Sequence, residues 1–401
     1  MKSIIQKSAT NSMNRFFIIF FVFLSITLFS NILSAQDTKG ALRDAEKQLS
    51  FFYDNVVKAR DDKKIFPRSI RNDSIKVVGS NDWTSGFFPG MLWYMYDYTG
   101  KNEWRTKAEE FTSLMEKETK NAGSHDVGFK VYNSYGNGLR LTNNAEYKKH
   151  IIQGAATLIT RFNKNVACIR SWDFGTWQYP VIIDNMMNLE LLFAATRLSG
   201  DSSYYKIAVT HANTTMKNHF RPDFSCFHVM DYDTVSGKVI GGSTLQGYAN
   251  NSAWARGHAW ALYGFTMCYR ETKDPAYLRL AENIASFLMD HPRLPSDKIP
   301  YWDLDVPDIT KEPRDASAAV IMASALYELE GYSLNKKKYK SFADKILNSL
   351  IKNYRSSIGT YHGFILLHST GHKPADSEVD TPIIYADYYF LEALMRRKKF
   401  K

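Results

Sequence analysis

Two kinds of helix-period run alternate along this chain, and that alternation restricts the folds open to it more than any other feature. The first kind carries apolar residues on one face: residues 41–60, with Leu42, Ala45, Leu49, Phe52 and Val56 in register, then the runs opening at Trp104, Tyr147, Tyr205, Tyr277 and Tyr339. The second kind, over about 86–98, 127–142, 184–199, 251–271, 315–331 and 382–397, is small or apolar nearly all round. A one-faced helix can border solvent, whereas a helix without a polar face has to be enclosed. Six of each in alternation predict an outer and an inner ring, an all-α (α/α)6 barrel of six helical hairpins closed into a toroid. Strand signals are sparse. The lead aromatics are too unevenly spaced for a tight repeat, and an open helical solenoid is the competing architecture.

If the inner helices run in one direction, the residues just before their N-termini meet at one mouth. Those junctions carry Asp82-Trp83, His125-Asp126, Asp184-Asn185, Ser252 with Trp254 and Arg256, Arg314-Asp315, and Asp380. Helix capping is the ordinary use of Asp there, and it is the reading taken for Asp315 and Asp380. Asp184 asks for more, because it ends the apolar run Tyr179-Pro-Val-Ile-Ile183 close to Trp172, Trp177 and Asn185. Aromatic and amide side chains around a carboxylate are what a sugar-facing cleft needs. A second carboxylate, Asp126, brought close to Asp184 would discourage ionisation of both and keep one protonated near neutrality. In the capping alternative both stay ionised, held by backbone N–H groups.

The segment 242–260 adds Gln246, Trp254 and Arg256; a guanidinium can grip a carboxylate through two parallel hydrogen bonds, and an indole face can stack on a sugar ring. Trp260 and Tyr263 lie one turn deeper and read as core. His228, among apolar neighbours, reads equally as a buried histidine or as a ligand contact, and His125 is favoured by its position beside Asp126. The chain has no phosphate-binding loop, serine nucleophile elbow or metal-ligand cluster, so neither a metal nor a cofactor is expected.

Residues 1–35 carry Lys2, Lys7 and Arg15, no acid, and an apolar stretch from Phe16 to Phe29 too short for a membrane span. They read as a secretory signal ending near Ser34-Ala35, with Met13 as an alternative start, which leaves residues 36–401 as one catalytic domain. No Cys follows the leader to take a lipid, so a periplasmic protein without a membrane anchor is expected. Removing the leader lowers the formal charge from +10 to about +7. That excess suits an anionic ligand, but Lys and Arg are scattered apart from Arg396 to Lys399, which gives nucleic acid binding little support. Cys168, Cys226 and Cys268 are an odd set with no disulfide pattern.

Six ordered motifs resemble the unsaturated glucuronyl hydrolases of glycoside hydrolase family 88: Asp82-Trp-Thr-Ser-Gly-Phe-Phe-Pro-Gly90, His125-Asp-Val-Gly-Phe129, Ile183-Asp-Asn-Met-Met-Asn-Leu189, Ser252-Ala-Trp-Ala-Arg-Gly257, Pro313-Arg-Asp-Ala-Ser-Ala318 and Asp387-Tyr-Tyr-Phe-Leu-Glu-Ala-Leu394. They span most of the chain. The resemblance implies an (α/α)6 fold and a hydrolase that removes the 4,5-unsaturated uronic acid from lyase-generated oligosaccharides by hydrating its C4=C5 enol ether. It implies Asp184 as acid/base, Asp126 as its partner, and substrate contacts at Trp83, His125, Trp172, His228, Gln246 and Arg256. Family members acting on sulfated glycosaminoglycans hold sulfate with Ser and Lys in a C-terminal loop, which His368-Ser-Thr-Gly-His-Lys373 matches only in part. The leaving sugar is thus left open between glycosaminoglycan and ulvan fragments. A rhamnogalacturonyl hydrolase on the same fold, and a secreted glycan-binding protein without catalysis, are the alternatives.

Overall fold

The structure, a computed structural model, describes residues 37–399; the expected leader and its cleavage site lie outside them. Helix α1 covers 37–59. There follow α2 (Phe87–Thr99), α3 (Asn102–Ser113), α4 (a π-type segment Gly128–Gly136 running into Asn137–Thr142), α5 (Ala145–Ile159) and α6 (Asn185–Ser199). The chain continues through α7 (Ser202–Asn218), α8 (Ala255–Thr272), α9 (Pro275–Met289), α10 (Ala316–Glu330), α11 (Lys336–Asn353) and α12 (Ile384–Lys399).

Even-numbered helices pack in succession from α2 to α12, and α12 returns onto α2, so the inner ring closes and the solenoid is excluded. Burial follows the expected division. In α9 the buried set Tyr277, Leu280, Ala281, Ile284, Ala285 and Leu288 recurs at helical spacing on one face, while α10 buries all its residues from Ala316 to Tyr327. Asp274 caps α9 ahead of Pro275, and Asn144 and Asp201 cap α5 and α7, so the outer helices start where their sequences place caps.

The short strands went unforeseen. β1 (Phe66–Arg71) and β2 (Ser74–Val78) form a hairpin, β3 (Phe162–Asn163) pairs with β4 (Cys168–Ile169), and β5 (Pro180–Ile182), β6 (Val229–Tyr232) and β7 (Val239–Ser243) make an antiparallel sheet. The last sheet matters for the site. Ile182 pairs with Val229, and the Ile183 N–H donates to the His228 carbonyl at 3.0 Å, which brings His228 beside Asp184 across a long stretch of sequence.

Candidate active site

The N-terminal ends of the inner helices converge on one cavity of about 970 Å³, its open mouth included. Trp83 reaches it from the turn before α2, His125 and Asp126 from the turn before α4, Asp184 from the start of α6, Arg256 from α8 and Tyr385 from α12. Trp172 and Gln246 complete the wall among the expected residues. Asp315 and Asp380 stay outside it. The Asp315 carboxylate accepts the Ser317 N–H as a helix cap, as expected, whereas Asp380 is exposed and bonds the His368 ring at 2.7 Å instead of capping α12.

Asp184 occupies the N-cap position of α6, yet its side chain takes no capping hydrogen bond, which removes the structural explanation for it. Its Oδ2 is buried without a hydrogen-bond partner, and so are His228 Nε2 and Trp172 Nε1. Buried polar atoms are rarely left unpaired, and two in one cavity wall, on Asp184 and Trp172, mark a surface shaped for a polar ligand. Burial lifts the Asp184 carboxyl to about 7; the Arg256 charge opposes that shift and Asp126 adds to it. Low local dielectric therefore does most of what crowding of two carboxylates was expected to do.

Each carboxylate faces a histidine. His125 Nε2 lies 3.4 Å from Asp126 Oδ1, and His228 Nε2 lies 3.7 Å from Asp184 Oδ2. The Leu245 and Gln246 N–H groups donate to His228 Nδ1 at 3.1 and 3.3 Å, and the Asn188 amide nitrogen meets His125 Nδ1 at 3.2 Å. With Nδ1 accepting, the proton of each neutral ring sits on Nε2 and points at a carboxylate. Burial pulls both imidazoles below their ordinary range, strongly so for His228, which keeps them neutral.

Asn188 locks the two halves together. Its carbonyl accepts the Phe129 N–H at 2.8 Å while its amide holds His125, and a Cβ on Gly128 would stand 2.6 Å from its Cα. Ser171 does the same one layer out: its carbonyl takes the His125 N–H, and its hydroxyl donates to Asn185 and accepts from the Ile182 N–H.

With this geometry in place the comparisons with known proteins are direct. Residues 63–399 match the family model described as Glycosyl Hydrolase Family 88. The chain belongs to glycoside hydrolase family 88. It is 54% identical over 339 residues to an unsaturated glucuronyl hydrolase of Formosa agariphila, spanning 83% of this chain and 84% of the relative. It is 31% identical over 384 residues to an unsaturated chondroitin disaccharide hydrolase of Streptococcus pneumoniae, spanning 93% and 94%. A solved unsaturated glucuronyl hydrolase specific for heparin superposes with a TM-score of 0.88 at 46% identity, covering 91% of this chain and 98% of that one.

Within this family 88 chain, several expected contacts stand differently from the sequence reading. Trp254 does not line the cavity: its indole is 3% exposed, wedged between the His228 ring at 4.5 Å and the Arg256 guanidinium at 4.7 Å, because the N-cap conformation turns it inward over Gly257. His228 reaches the site through Asp184, from behind the lining. Arg256 is buried, and its terminal nitrogens are engaged inside the protein by Asp315 at 2.8 Å and by the carbonyls of Thr370 and Gly371. A two-bond grip on an incoming carboxylate is therefore replaced by a fixed positive charge next to the cavity.

The C-terminal loop also departs from a sulfate grip. Ser369 is fully buried in a bridge to Thr381, and Lys373 starts a surface turn outside the cavity lining. Sequence reasoning missed Arg68, Phe174, Glu378 and Tyr385, all in the cavity wall; His372, read as part of a basic loop either solvated or touching an anionic group, lines it too. Arg68 grips Glu378 through two hydrogen bonds of 2.6 and 2.9 Å and Asp82 through one of 2.7 Å, tying the β1–β2 hairpin to the loop that carries Gly371. No spacing in the sequence signals that pairing across the whole chain.

Proposed function

We propose that this chain hydrolyses lyase-generated oligosaccharides by hydrating the C4=C5 enol ether of the terminal unsaturated uronic acid. The observation that carries the reading is Asp184: a carboxyl lifted to about 7, with an unpartnered oxygen, in a cavity beside a second carboxylate. Protonated Asp184 gives its proton to C4, and positive charge develops across C5 and the ring oxygen, where the Asp126 side chain stabilises it. Water then adds to C5 as Asp184 takes a proton back. The hemiketal opens by breaking the C5 to ring-oxygen bond, and the hemiacetal left at C1 releases the shortened sugar.

Trp83 and Trp172 offer ring faces to the sugar, and His125 keeps Asp126 oriented through its Nε2 proton. Trp172 presents an N–H donor to a substrate oxygen, His228 orients Asp184 from behind the lining, Gln246 adds an amide, and the Arg256 charge attracts the uronate carboxylate. Trp254 acts through His228 and Arg256.

A heparin-type leaving sugar is favoured over a chondroitin type by two observations. The relative specific for heparin shares 46% identity, against 31% for the chondroitin disaccharide hydrolase, and neither Ser369 nor Lys373 lines the cavity. The test follows loss of the enol ether's ultraviolet absorbance with unsaturated disaccharides made from heparin, chondroitin and ulvan. Heparin products are expected to turn over fastest, and Asp184→Asn to bind without turnover. Turnover by Asp184→Asn at the parent rate would end the assignment.

We also propose that residues 36–401 act as one catalytic domain exported to the periplasm by the leader. The closed ring over 37–399 supports the first part and the leader sequence the second. N-terminal sequencing of the protein from a periplasmic extract should begin near Gln36.

A further inference from the structure

Phe174 is 58% exposed, an unusual placement for a phenylalanine in a loop that is otherwise tied down. Its ring lies 4.9 Å from that of Trp172 at 19°, a stacked pair, and both belong to the cavity wall. The row of rings runs outward from the carboxylates: His228 faces Asp184, the Trp172 ring is 6.1 Å from His228, and Phe174 is the next step toward solvent.

The loop holds Phe174 there on purpose-built anchors. On one side Asp173 receives two hydrogen bonds from Arg161, at 2.9 and 3.0 Å. On the other, Gly175 adopts a left-handed φ of +86° that folds the chain back, at a point where a Cβ would stand 2.5 Å from the Trp177 ring, whose indole N–H donates to the Ser243 hydroxyl at 2.9 Å. Collapse into the core would hide the Phe174 ring; the anchors keep it presented. A fixed aromatic face at the lip of a carbohydrate cleft suits the apolar face of a pyranose, at small entropic cost because the ring is already oriented.

We propose that Phe174, backed by Trp172, is a subsite for a sugar of the leaving group beyond the one joined to the unsaturated uronate, so that the enzyme favours oligosaccharides longer than disaccharides. The proposal rests on the hydrolase reading above. It is tested by comparing kcat/KM for unsaturated disaccharide and tetrasaccharide from one heparin lyase digest. Wild type should prefer the tetrasaccharide, and Phe174→Ala should lower kcat/KM for it by roughly three- to tenfold, mainly through KM, while leaving the disaccharide within about twofold. Phe174→Trp should keep the preference.

Equal losses on both substrates, or no loss on either, would overturn the subsite. Should wild type hydrolyse neither, the functional reading fails by itself. Calorimetric binding of the tetrasaccharide to Asp184→Asn, with and without Phe174→Ala, then decides the subsite: a three- to tenfold weakening supports it and unchanged affinity refutes it.

Discussion

Replacing Asp184 by Asn should stabilise the protein at neutral and alkaline pH while silencing it. The folded carboxyl titrates near 7 against an ordinary 3.8, a shift due first to burial. Well below pH 3.8 the group is neutral folded or unfolded, and parent and variant are matched. As pH rises toward 7, the unfolded chain ionises Asp184 freely and the folded chain does not, so the parent alone loses stability; beyond 7 the loss is complete. Three pKa units correspond to roughly 4 kcal/mol, and relaxation around the charge brings the expected gap to about 2–4 kcal/mol. In thermal unfolding followed by circular dichroism from acid to alkaline buffer, the Tm advantage of Asp184→Asn should open through this window and then stay level at a few degrees. An advantage independent of pH, or a variant less stable throughout, would show that the carboxylate bears no burial cost and would remove the reason it is protonated near neutrality.

Three further expectations bear on the scaffold. Gly128→Ala would put a methyl group 2.6 Å from Asn188, costing about 1–3 kcal/mol and lowering kcat by separating the Asp126 turn from α6; denaturant melts and kinetics read both. Burial opposes ionisation of Glu378, but Arg68 and Lys76 outweigh it and hold its pKa near 2, so its stabilisation is complete above about 4.5 and disappears as pH falls through 2. Glu378→Gln should therefore be less stable than the parent at pH 6, with the difference closing on acidification in Tm scans. Cys168, Cys226 and Cys268 are buried, and burial raises each thiol above its ordinary range, so a thiol reagent should label none until the protein unfolds.

The ring of helices was legible because one-faced and all-round apolar runs are local patterns, and each inner helix places its preceding turn at the mouth. Asp126 and Asp184 could be picked out for the same reason. The partners that tune them were hidden because they depend on pairing across distant sequence. Strand register, set by Ile182 opposite Val229, delivers His228 to Asp184. Asn188 reads as one more polar residue in a buried helix until its carbonyl and amide are seen to join Phe129 and His125. Arg256 has the composition of a carboxylate grip, and only the fold reveals Asp315 and two loop carbonyls engaging it first. The nine-residue π segment after Val127 likewise leaves no mark in apolar periodicity, which only distinguishes helix from strand.

The central claim, protonation of C4 by Asp184, is tested most directly by running the reaction in D2O under NMR observation. The account predicts one deuteron delivered to a single face of C4 at the rate at which the enol-ether absorbance disappears, and neither event with Asp184→Asn. Release of a uronic acid that still carries its double bond, or deuteration and turnover by Asp184→Asn at the parent rate, would contradict it.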